Sequence, residues 1–145
     1  MTPQERIIEV LGGAKSIGLK KGQAETSLNG QVRAGLRFSA LEALQRRYQI
    51  TSAQIRELID ISERTLARRK LEKTLSKSES DRLYRVARIA AYAEEVLGSA
   101  QAATAWLKTP LPSLGQVTPL SLLDTDEGAQ HVTDILGRID YGVYS

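Results

Sequence analysis

Helix-start signals recur along this chain while strand punctuation is nearly absent, and that imbalance restricts the fold more than any other feature. Thr51 with Gln54, Ser76 with Glu79 and Ser39 with Glu42 all show the spacing of a capping box. In that motif a hydroxyl accepts the N–H three residues on, and the N3 side chain returns to the cap's own N–H. Ser62, Ser99 and Thr125 stand in front of three further runs. Behind these starts, apolar residues recur at helical intervals: Leu41, Leu44 and Tyr48; Ile55, Leu58 and Ile59; Leu83, Val86, Ala87, Ala90 and Leu97. The expected fold class is all-α.

Elsewhere the reading is less uniform. "PQERIIEVL" reads as a short helix closed by Gly12-Gly13. "AKSIGLKKGQAETSLNGQ" has weak periodicity and three glycines, so a loop is expected there, and "QVRAGL" suggests one turn ending at Gly35. "TPLPSLGQV" reads as a loop, and Thr118-Pro119 opens the short "PLSLLD" with proline at the first helical position.

Length and charge divide the chain. At 145 residues it suits one compact domain or two small units sharing a core. Residues 1–36 hold 5 Lys and Arg against 3 Asp and Glu, residues 37–98 hold 13 against 9, and residues 99–145 hold 2 against 5. Three segments follow: 1–36, a basic 37–98 and an acidic 99–145. A basic middle and an acidic end point to two different partners. No apolar run approaches the ~20 residues of a membrane span, and "MTPQERIIEVLGG" carries acids where a leader peptide would be basic, so a cytoplasmic address is expected.

Within the middle segment, two short capped helices are separated only by "DIS", and the second is basic. That is a helix-turn-helix signature. With Leu66 turned inward, Arg64 and Arg68 fall within about 20° of the opposite direction, where arginine pairs with guanine edges. Thr65 flanks them. Ser62 and the first N–H groups suit a phosphate, and Arg69, Lys70 and Lys73 suit backbone phosphates. Asp60 stands in the turn where glycine is usual, and Arg56 where a small residue is common. The plainer reading is an αα corner with solvated arginines.

"GRIDYGVYS" closes the sequence with Ile139, Tyr141, Val143 and Tyr144. Arg138 to Tyr141 is expected to finish the last helix, with Ile139 folding back on the core and Val143 and Tyr144, beyond Gly142, facing a partner. Tyrosine offers a large contact area with few torsions to freeze.

Catalytic chemistry finds little support. The chain has no Cys and a single His, His131, too few for a zinc site. Asp124, Asp126, Glu127 and Asp134 mostly sit at helix starts, where capping and the helix dipole explain them. No phosphate-binding glycine pattern is present, and Trp106 is expected as a core anchor. No enzymatic activity, cofactor or metal is expected.

"SERTLARRK", "LSKSESDRLYR", "TPLSLLDTDEG" and "RIDYGVY" together resemble the Xre-type antitoxins of RES–Xre toxin–antitoxin pairs, over about residues 35–145. The resemblance implies a RES-domain toxin partner that consumes NAD, neutralised through the C-terminal region. It implies repression of the protein's own operon, with operator double-stranded DNA bound by the helix-turn-helix. It also implies self-association through the N-terminal part, so that a homodimer and a larger assembly with toxin are expected. Carried over, Ser62, Arg64, Thr65, Arg68 and Arg69 fall on the DNA-reading helix, and Tyr141, Gly142, Val143 and Tyr144 on the toxin-blocking motif. Arg138 and Ser145 complete the candidate toxin-binding set. A free-standing dimeric repressor, whose C-terminal unit serves only dimerisation, is the alternative; an adaptor that no longer contacts DNA is the third.

Overall fold

The computed structural model describes residues 1–19 and 25–142, without the side chains of 25–27. The helices run α1 Pro3–Val10, α2 Ala14–Ile17, α3 Glu25–Ala34, α4 Phe38–Tyr48, α5 Ser52–Ile59, α6 Glu63–Glu72, α7 Lys77–Leu97, α8 Ala100–Leu107 and α9 Asp126–Asp140. Two 3-10 turns, Pro112–Leu114 and Leu120–Asp124, join α8 to α9. The fold is all-α.

Most helices begin where their caps dictate. The Thr51 hydroxyl accepts the Gln54 N–H at 3.1 Å while Gln54 Oε1 accepts the Thr51 N–H at 2.9 Å. Ser76 and Glu79 form the same reciprocal pair at 3.2 and 2.9 Å. Ser99 accepts from Ala102, and Thr125 from Gly128, each at 3.0 Å.

Ser39 departs from its expected role. Helix α4 starts one residue before it, at Phe38, and the Ser39 hydroxyl instead donates to the Ser16 carbonyl at 2.8 Å. The reason is tertiary. The Phe38 N–H is already taken by the Lys73 carbonyl at 3.0 Å, and the Leu75 N–H reaches the Leu36 carbonyl at 2.9 Å. This short antiparallel pairing ties the start of α4 to the exit of α6. A side-chain cap is not needed.

The expected loop after α1 is also partly helical. Helix α3 places Leu28 and Val32 in the core. Its interior Gly30 costs about 1 kcal/mol of helix propensity, an amount that burial of the two apolar residues offsets.

Helix α7 is the axis of the molecule, packing against α1, α3, α5, α8 and α9. Leu83, Val86, Ala87, Ile89, Ala90, Ala91 and Ala93 are all buried on it, and the run of alanines admits neighbours on several sides. Ile7, Val10, Leu11 and Ile17 join the same core, so the first turns of the chain are structural. At the far end of α7, Glu94 receives Arg47 in a two-pronged pair at 2.8 and 2.6 Å and the Tyr48 hydroxyl at 2.9 Å. Those bonds hold the Glu94 carboxyl below its ordinary pKa, Arg47 first among them. Burial, followed by the bond to Glu94, raises the Tyr48 phenol.

Candidate nucleic-acid and partner interfaces

The turn between α5 and α6 depends on Asp60, which closes α5 in the left-handed conformation at φ 57° and ψ 57°. Glycine is usual here because it enters that region without a Cβ penalty; aspartate is among the few other residues that tolerate it. Only Asp60, Ile61 and Ser62 separate α5 from α6. Arg56, on α5, is half-buried, and its Nε has no hydrogen-bond partner among the described residues.

Helix α6 buries none of its residues. Only Thr65, Leu66 and Arg69 are even half-buried, while Arg64, Arg68 and Lys70 on the helix, and Lys73 at its C-cap, are exposed. Ser62 acts as the N-cap: its hydroxyl accepts the Thr65 N–H at 3.1 Å and lies 3.0 Å from the Thr65 hydroxyl. Lys73 closes the helix at φ 65°, and its carbonyl serves Phe38.

Arg69 is engaged inside the molecule. Its Nε and Nη2 donate to Glu79 at 2.8 and 3.1 Å, and its Nη1 donates to Glu72 at 2.9 Å. Glu79 is 5% exposed and also completes the α7 capping box. Burial alone would raise its pKa, but Arg69 and the Ser76 N–H more than offset it and the carboxyl is held below the ordinary range. The bonds to Glu79 raise Arg69 in turn. Arg69 therefore fastens α6 to α7, leaving Arg64, Arg68, Lys70 and Lys73 as the outward cations of this region.

The acidic end of the chain is seated by a different arginine. Arg85, on α7, donates from Nε to the Leu123 carbonyl at 3.1 Å and from Nη1 to Asp126 at 2.7 Å. It grips the second 3-10 turn and the first turn of α9 together. At the other end of α9, the Tyr92 hydroxyl reaches Asp140 at 3.3 Å. Ile139 is half-buried and Arg138 exposed. Tyr141 caps the helix and is 82% exposed, followed by an exposed Gly142 at φ 68°. Val143, Tyr144 and Ser145 lie outside the described residues. Trp106 is half-buried and its neighbour Leu107 is the buried anchor; His131 is exposed. Among the described residues no group of three His, Cys, Asp or Glu side chains is placed to hold a metal ion.

Two family models match the chain in tandem. An antitoxin Xre-like helix-turn-helix domain covers residues 27–88, and an antitoxin Xre/MbcA/ParS C-terminal toxin-binding domain covers 92–142. A protein of Yersinia enterocolitica named Antitoxin Xre is 31% identical over 90% of this chain and 89% of its own length. The chain belongs to the Xre antitoxin family. An Antitoxin Xre of Photorhabdus laumondii is 32% identical over 81% of each chain. A shorter match, 45% identical over 29% of this chain and 26% of the other, is to a Sphingobium protein named Prs ADP-ribosylating antitoxin.

Both matched domains are binding modules, and this Xre-family antitoxin is not an enzyme. No described helix is long and apolar enough to cross a membrane. The two domain matches meet inside α7, between residues 88 and 92, so one unbroken helix carries both. The α6 cations are legible from charge alone, whereas the Arg69–Glu79 tie and the Arg85 clamp are not, because both pair residues that only the folded chain brings together.

Proposed function

We propose that this antitoxin neutralises a RES-domain toxin that consumes NAD, with Arg138, Tyr141 and the residues after Gly142 entering the toxin's active site. What supports the reading is a large aromatic side chain, Tyr141, left 82% exposed at the end of the toxin-binding domain. Past the helix, Gly142 takes a left-handed conformation. Exposed aromatics are characteristic anchors of protein interfaces, and the acidic 99–145 segment complements a cavity built for phosphates. In the same reading α6 binds the operator of the protein's own operon, giving autoregulation. The antitoxin works in the bacterial cytoplasm, as a homodimer and in a larger assembly with toxin.

Co-expression with the neighbouring toxin tests the tail. The full chain is expected to preserve cell growth and NAD, whereas a chain lacking Tyr141–Ser145 keeps its fold, seen by circular dichroism, and loses protection. Protection by the truncated chain sinks the tail-blocking reading. The Sphingobium name favours a second reading of the toxin's chemistry, transfer of ADP-ribose to a protein rather than hydrolysis. Mass spectrometry of cell proteins after toxin release separates the two, since only transfer adds mass to a protein.

A further inference from the structure

The outward face of α6 carries more than its cations. Its half-buried residues, Thr65, Leu66 and Arg69, define the direction toward the core. At 100° per residue, the opposite direction passes within about 15° of Leu71 and about 35° of Arg64 and Ala67, with Arg68 about 75° away. Leu71 is 84% exposed, more than any other large apolar side chain among the described residues. Arg64, Ala67, Arg68 and Leu71 thus form a stripe spaced i, i+3, i+4, i+7. A recognition helix lying lengthwise in a major groove turns that spacing toward the bases.

We propose that this stripe reads the operator as a unit, Arg64 and Arg68 taking guanines while Ala67 and Leu71 lie against thymine 5-methyl groups. The inference rests on the operator-binding reading above and gives that surface a second specificity. The methyl of thymine is the apolar feature that the major groove presents, and apolar side chains recognise it by contact. Charge selects DNA over a second copy of the chain as the occupant. Leu71 is flanked in sequence by the exposed Arg68, Lys70 and Lys73 and by one exposed acid, Glu72, which is paired with Arg69. Two such faces brought together therefore carry like net charge and repel, whereas phosphates flanking the groove attract them. The operator half-site should therefore hold thymines within a few base pairs of the contacted guanines.

The test uses the full-length protein and a footprinted duplex from its own promoter, synthesised once with thymidine and once with deoxyuridine at the protected thymines. Loss of a contacted methyl is expected to weaken binding by about fourfold. Leu71→Ala should bind the thymidine duplex correspondingly more weakly and lose much of its response to deoxyuridine. Arg64→Ala should weaken binding to both duplexes while retaining that response. Leu71 is exposed on the surface, so circular dichroism should show an unchanged fold for its variant.

Equal affinity of the unaltered protein for the two duplexes overturns the methyl contact and leaves operator binding intact. Undiminished sensitivity of Leu71→Ala to deoxyuridine removes Leu71 from the contact. Absence of any footprint on the promoter overturns the operator reading itself, and this inference with it. A fall in particle mass on Leu71→Ala, with the deoxyuridine response intact, assigns Leu71 to contact between copies instead.

Discussion

Glu79 supports two structures at once. One carboxylate closes the α7 capping box and receives the Arg69 fork from α6. Its lowered pKa fixes the sign of a pH effect. The folded state holds its proton less tightly than the unfolded chain, whose carboxyl titrates near 4.5. The stabilisation is therefore complete above about pH 4.5 and is lost as the pH falls through the folded value. Glu94, also lowered, acts in the same direction. Glu79→Gln is expected to cost about 1.5–3 kcal/mol at pH 7 and to make the acid limb of the stability curve shallower. Urea unfolding at pH 7 and pH 4 measures both, and an unmoved midpoint at pH 7 would remove Glu79 from its anchoring role. Asp60 gives the opposite expectation. Because it sits at φ 57°, Asp60→Gly should relieve left-handed strain and gain about 0.5 kcal/mol, read as a higher midpoint with unchanged slope.

At the level of single elements, what was legible in the sequence was whatever is decided within one turn. The caps at Thr51, Ser62, Ser76, Ser99 and Thr125 are local hydrogen bonds, so their residues suffice to place five helix starts. Ser39 carried the same local pattern, yet α4 starts one residue earlier, at Phe38, whose N–H pairs with the distant Lys73 carbonyl, and the Ser39 hydroxyl bonds Ser16 instead. Only the last turn of α3, before Gly35, was legible; its earlier part was not, because it is held by burial of Leu28 and Val32 rather than by its own propensity. The candidate DNA surface was half legible: charge marked the cations, but which of them face outward depends on Glu79. The seat of α9 was not legible at all. Gly128 lies so close to the second 3-10 turn that an added Cβ would stand 2.1 Å from the Leu122 carbonyl oxygen. Gly128→Ala must displace one element from the other, at about 1–3 kcal/mol. The expected result is a lower melting temperature and weaker co-purification with toxin. A melting temperature equal to the parent's would mean that α9 rides freely on the turn.

The whole molecule behaves as one body if α7 is what joins it. The two matched domains, 27–88 and 92–142, meet in the middle of a helix that runs unbroken from Lys77 to Leu97. Core residues from α1, α4, α5, α8 and α9 form a single cluster around it. On the C-terminal side, Arg85 adds its grip on Leu123 and Asp126. No linker is available to let one domain unfold while the other stays, so equilibrium unfolding should be a single cooperative transition. The protein carries its own probe for this, since its one tryptophan, Trp106, lies on α8 in the C-terminal half. Trp106 fluorescence and far-ultraviolet circular dichroism are expected to give coincident urea curves. A fluorescence change completed well before the dichroism change would show that the C-terminal half opens alone. In that case toxin binding at α9 would place no constraint on α6. Coincidence means the reverse: under the proposed function, a toxin held at α9 would also constrain the direction in which α6 is presented to DNA.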